Sequence, residues 1–233
     1  MTAGNAERLT SRIGAVALLL GAIVLVISTA LHPSHENPMD NPAVFAEYAR
    51  SDLWIAVHLG QSLGFLMVIA GLLAVYYSLA TRRDAGVAVA RFGLAAAVTT
   101  AASFTILQAV DGIALKRAVD AWVSAPADRQ VAAFAAAEAI RWIEIGVNSL
   151  SFALVGLTLL LFGIALGLSR VYPRWVGAIG AVAGVVNLIR GVEVSYQGFV
   201  PSIAALVGPA LLALWSLIMV FFMWRESSQP AFA

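Results

Sequence analysis

The sequence predicts an all-α fold: a polytopic membrane bundle of six transmembrane helices with short interfacial helices on the outer side, forming one integral membrane domain over residues 1–233. Three observations predict it. Of the 233 residues 61% are hydrophobic and 12% charged, with a mean hydropathy of +0.89, which leaves too little polar surface to coat a soluble domain. Apolar runs of about 20 residues, the helical length that crosses a hydrocarbon core of about 30 Å, recur along the whole chain. No stretch alternates apolar and polar residues with a period of two, and Leu, Ala, Gly and Val fill the runs, which disfavours a β-barrel.

The runs extend from Ile13 to Leu31, Leu53 to Leu79, Phe92 to Ile113, Ile143 to Leu168, Trp175 to Leu188 and Ile203 to Phe222. The first follows Arg8 and Arg12, as a secretory signal would, but it is too long and has no small-x-small cleavage site, so it reads as a retained helix. Between the first and second runs, Asn37-Pro38 and Asn41-Pro42 read as turns. Asn41 then caps a short segment through Tyr48 that has proline at its first position, and Asp52 caps the second span. The connection Leu115 to Ile140 reads as interfacial helices leading into the fourth span. Gly60 and Gly64, Gly163 and Gly167, and Gly180 and Gly184 are spaced four apart, which gives close helix contacts and a surface compatible with a homo-oligomer. Gln61-Ser62-Leu63-Gly64-Phe65 matches Asn148-Ser149-Leu150-Ser151-Phe152, a faint sign of a repeated hairpin.

Arg8, Arg12, Arg82, Arg83, Arg91, Arg170, Arg174 and Arg225 fall on one side of the predicted topology, close to the helix ends. Arg50, Lys116, Arg117, Arg129, Arg141 and Arg190 fall on the other. The positive-inside rule then puts both termini in the cytoplasm of a cell whose inner, cytoplasmic membrane holds this multi-pass chain. Thirteen arginines against one lysine point to a high-G+C bacterial genome. With a formal charge of +1 and no basic tract longer than Arg82-Arg83, nucleic acid is not an expected partner, whereas membrane lipids are. Zero cysteines remove thiolate chemistry and disulfides, so His, Asp and Glu are the remaining metal ligands.

Polar groups inside spans cost a few kcal/mol or more and face the bundle interior. Here they gather in the outer halves: His58 and Gln61 in the second span, Gln108 and Asp111 in the third, Glu138, Arg141, Glu144 and Asn148 entering the fourth, and Asn187, Arg190 and Glu193 closing the fifth. Glu138, Arg141, Glu144 and Asn148 share one helical face, with Arg141 placed to bridge both carboxylates. The expectation is an outer polar pocket for a lipid or small amphipathic ligand, lined by His58, Gln61, Asp111, Arg141, Glu144, Asn148, Arg190 and Glu193. The alternative is a metal-dependent membrane enzyme. In it His32, His35 and His58 hold a divalent ion, zinc or iron, and Glu144 or Asp111 serves as general base. A further alternative is a structural or assembly role. Trp54, Trp122, Trp142 and Tyr196 read as the outer aromatic belt, Trp175 and Trp224 as the inner one.

The stretch Gly156 to Gly191, with its inner turn Ser169-Arg170-Val171-Tyr172-Pro173-Arg174-Trp175-Val176-Gly177 between two apolar helices, resembles bacterial six-span integral membrane families of unknown function. That resemblance implies the fold and no activity. Membrane hydrolases of the ceramidase-like superfamily, by contrast, have seven spans and helical histidine pairs that this chain lacks.

Overall fold

A backbone in hydrocarbon has no water to bond, so a crossing chain must satisfy its own N–H and C=O groups within helices. Among the described residues six helices are long and apolar enough to cross, and the chain is a multi-pass integral membrane protein. The structure is a computed structural model that describes residues 3–81, 84–169 and 171–228, without the side chains of residues 3, 4 and 228. Arg82, Arg83 and Arg170, which enter the charge count above, lie outside the described residues.

The helices are α1 (Ala3–Ala30), α2 (Asn41–Arg50), α3 (Trp54–Ala80), α4 (Ala85–Ala109), α5 (Lys116–Val123), α6 (Gln130–Leu168), α7 (Arg174–Gln197) and α8 (Ile203–Ser228), with a π-helical turn, Val110–Leu115, joining α4 to α5. Among the described residues there is no strand. The spanning helices pack in the order α1, α3, α4, α6, α7, α8 and back to α1, a closed ring. The start of α1 and the end of α8 lie at one end, called the terminal end, where the Arg12 Nε donates to Ser227 Oγ at 3.4 Å.

Several local expectations shift. The N-cap of α2 is Asp40, whose carboxylate accepts from the Ala43 amide at 3.3 Å, so Asn41 is the first helical residue. Asp52 caps nothing: Leu53 occupies the N-cap of α3 with no side-chain hydrogen bond. In the connection Leu115 to Ile140 only α5 is a separate short helix, and after it α6 runs unbroken for 39 residues, about 58 Å at 1.5 Å per residue. The alanine-rich stretch that reads as interfacial has high helix propensity and simply continues the helix. The fifth span also extends past Leu188 to Gln197, and Gly198 ends it at φ +70°, a conformation that suits glycine.

These extensions build a cap on the ring at the end away from the termini. Val44, Phe45 and Tyr48 of α2 bury against Trp54, Leu115, Val119 and Ala137 in a small core of their own. Toward the terminal end a larger core, including Leu18, Leu72, Leu79, Phe162, Leu166, Trp215 and Met219, fills the ring. Helices α6 and α7 are pressed together by small residues: a Cβ on Gly163 would lie 2.3 Å from the Ala181 amide nitrogen, and one on Gly184 2.4 Å from that of Leu160. The ring is therefore solid at one end and capped at the other, and the space between is the candidate site.

Candidate functional site

The π turn sets the site's geometry. A π-bulge changes the register of a helix, and it brings Asp111 onto α3, where its Oδ2 lies 3.1 Å from Nε2 of His58. Close approach is possible because residue 112 is glycine: a Cβ there would lie 2.4 Å from the His58 Cβ. The other ring nitrogen of His58, Nδ1, lies 2.7 Å from the Trp54 carbonyl oxygen one turn earlier in α3. Trp54 in turn donates its indole N–H to the Asp111 carbonyl at 3.2 Å and holds the turn in place. Trp54 is thus fully buried against His58 and Tyr48 and is no part of an aromatic belt, whereas Trp142 and Tyr196 are exposed as a belt requires.

His32, just after α1, completes the group. Its ring centroid lies 5.1 Å from that of His58 and 4.9 Å from that of Trp54. Ligand atoms of His32, His58 and Asp111 all fall within 4.8 Å of one another. Burial holds His32 below the ordinary imidazole pKa, against the upward pull of Asp111. His35 is not in this group. Its ring is turned outward, with Nδ1 2.8 Å from Glu47, and its amide donates to the same carboxylate oxygen at 3.0 Å. Proline at 33 keeps the segment out of helix, so His32 and His35 face different ways.

Arg141 and Glu144 form a second centre on α6. Their side chains are 3% exposed each and meet at 2.6 Å. Arg141 also donates to Tyr48 Oη and to the Pro38 carbonyl, both at 3.3 Å, and its guanidinium lies 4.7 Å from the centroid of the Phe199 ring. Burial pushes the Tyr48 phenol above its ordinary pKa, with Arg141 pulling the other way. Arg141 does not bridge two carboxylates, because Glu138 is turned toward α2 and accepts from Asn41 Nδ2 at 3.0 Å.

Between these centres lies a cavity of about 910 Å³. Gln61, Asp111, Arg141, Glu144, Asn148 and Arg190 line it, with His32, Gln108 and Asn187. Phe65, Val68, Phe104 and Val155, further along the same helices toward the terminal end, make it apolar there. His58 stands behind Asp111, and Glu193 points away to Ser202 Oγ, so neither is a lining residue. Arg190 donates to the Val200 carbonyl at 3.2 Å and lies 3.9 Å from Glu193. Val26 and Thr29 of α1 and Pro209 and Ala210 of α8 line the cavity and are exposed as well, so the wall between these helices has the cavity on one face and the exterior on the other.

Five buried side-chain atoms among the described residues have no hydrogen-bond partner in the protein: Gln108 Oε1, Asp111 Oδ1, Arg141 Nε, Asn148 Oδ1 and Ser216 Oγ. All five belong to cavity residues. Leaving such an atom unpaired costs about 1–3 kcal/mol, so the cavity is where partners other than protein atoms are needed.

Trp54, Tyr48, Phe199 and the Pro38 carbonyl escape sequence reasoning. Only Trp54 leaves a signal there, standing four residues before His58 on the same helical face. Comparison with protein-family models, with curated proteins and with solved structures finds no match to this chain.

Proposed function

We propose that the cavity binds a lipid or another small amphipathic molecule, with its polar head at the capped end and its apolar part toward the ring's solid end. The carrying observation is the gradient within one cavity: Arg141, Glu144, Asn148 and Arg190 at one end, Phe65, Val68, Phe104 and Val155 at the other. Binding sites of this size pair apolar walls with a few placed polar groups. Arg190, whose nearest carboxylate stands at 3.9 Å, supplies positive charge for an anionic head. The α1–α8 wall, with the exterior behind it, is the lateral route from hydrocarbon. The positive-charge bias of the loops puts the termini in the cytoplasm and the capped end outside.

The test is lipid retention after purification in detergent, measured by mass spectrometry of the intact protein. Wild type retains about one lipid per chain. Val155→Trp, which fills the apolar end, and Arg190→Gln, which removes head-group charge, each reduce it. Equal retention by wild type, both variants, and Arg141→Ala with Glu144→Gln sinks the reading.

A further inference from the structure

We propose that His32, His58 and Asp111 form a binding site for one divalent first-row transition-metal ion of the zinc class, with an open coordination position facing the cavity. This site stands independently of the lipid reading. The argument begins with hydrogen placement on His58. A carbonyl oxygen only accepts, so the 2.7 Å contact of Nδ1 with the Trp54 carbonyl puts the ring hydrogen on Nδ1. Nε2 then faces the Asp111 carboxylate oxygen at 3.1 Å, a contact that a second ring hydrogen or a metal ion bound by both atoms satisfies.

Three further features point to a metal ion in that role. The contact of Nδ1 with a backbone carbonyl is the outer-shell arrangement that orients a metal-ligating imidazole and fixes its tautomer. A third donor, the His32 ring, converges on the same point, with all three ligand atoms within 4.8 Å of one another, against about 3.4 Å for tetrahedral neighbours around zinc. His32 lies on a connection between helices, so it is the ligand whose backbone can close the remaining gap. The second carboxylate oxygen, Asp111 Oδ1, is buried with no partner in the protein. Two imidazoles and one carboxylate are the donor set of metal sites that keep a position for water or a bound ligand. His32 and Asp111 line the cavity, so that position opens into it. The π turn serves this assembly, since a regular helix through 110–115 would carry Asp111 at a different angle to α3.

Protein purified without metal-affinity chromatography, stripped with chelator, is titrated with Zn²⁺ and, for its visible spectrum, Co²⁺. Wild type is expected to bind one equivalent of either, with Co²⁺ showing the intense d–d bands of low coordination number. Outer-shell changes alone cost about 10–100-fold in affinity, so His32→Ala and Asp111→Asn should each lose about a hundredfold or more. His35→Ala should bind as wild type. His32→Ala alters no helix, and gel filtration verifies that it and Asp111→Asn remain folded. Uptake below about a tenth of an equivalent by folded wild type overturns the proposal whatever the variants do. Wild-type affinity in folded His32→Ala overturns it equally, because the ion then sits elsewhere.

Discussion

Arg141 and Glu144, one turn apart on α6, meet at 2.6 Å with both side chains withdrawn from solvent, and the same guanidinium reaches Tyr48 and the Pro38 carbonyl in the cap. One side chain therefore ties the cap to the ring. A buried ion pair is worth little against an apolar replacement, but removing one partner strands the other charge. Arg141→Ala should destabilise the folded protein by roughly 3–5 kcal/mol. Arg141→Met with Glu144→Leu should recover most of that loss. Thermal unfolding of the single and double variants in detergent measures both, and equal losses in the two would show that the cap contacts, not the stranded carboxylate, dominate.

Helix approach gives a paired prediction. Gly163→Ala puts a methyl group 2.3 Å from the Ala181 amide nitrogen, which only separation of α6 and α7 can relieve, at a cost of about 1–3 kcal/mol. Gly146→Ala on the same helix meets nothing within 4 Å, and it should be neutral or stabilising by up to about 1 kcal/mol through helix propensity. Melting temperatures should move in opposite directions, or fall only for Gly163→Ala.

The connection before α2 carries a pH-dependent lock. Burial raises the Glu47 carboxylate, but hydrogen bonds donated by the His35 amide and ring and by the Glu36 amide outweigh it and hold the pKa below the ordinary value. A carboxylate depressed in the fold contributes stability above its unfolded pKa and loses it as pH falls through the folded value. The His35 and Glu36 amide resonances should therefore shift as the solution is acidified through and below the ordinary carboxylate range. Glu47→Gln should abolish that titration.

Trp54→Phe keeps the ring stacked near His58 and Tyr48 but removes the indole N–H that meets the Asp111 carbonyl at 3.2 Å. The expected loss is about 1 kcal/mol of stability. Hydrogen exchange should quicken locally in the π turn, Val110–Leu115, and stay unchanged at the terminal end of α4.

Much of the site was legible along the chain. Gln61, Asp111, Arg141, Glu144, Asn148 and Arg190 were all identifiable as expensive polar residues in apolar runs, and all line the cavity. Two residues expected in the pocket do not line it, since His58 stands behind Asp111 and Glu193 meets Ser202; His35, expected as a metal ligand, meets Glu47, and Glu138, expected beside Arg141, meets Asn41. A polar residue near a helix end announces that it needs a partner without naming it. The π turn left no signal at all, because its register is chosen by the fit of Gly112 against His58 across two helices.

By itself the sequence determined that the chain crosses a membrane in six helices, since hydrophobic length and internal backbone bonding are properties of each segment alone. It also determined that polar groups gather toward one end. Only the tertiary structure decided which of them face each other: it closed the ring, selected His32 over His35 as the neighbour of His58 and Asp111, and gave Arg141 to Glu144 and the cap. Those choices depend on contacts between residues far apart in the chain, where packing at a few ångströms, and not local periodicity, sets the energy.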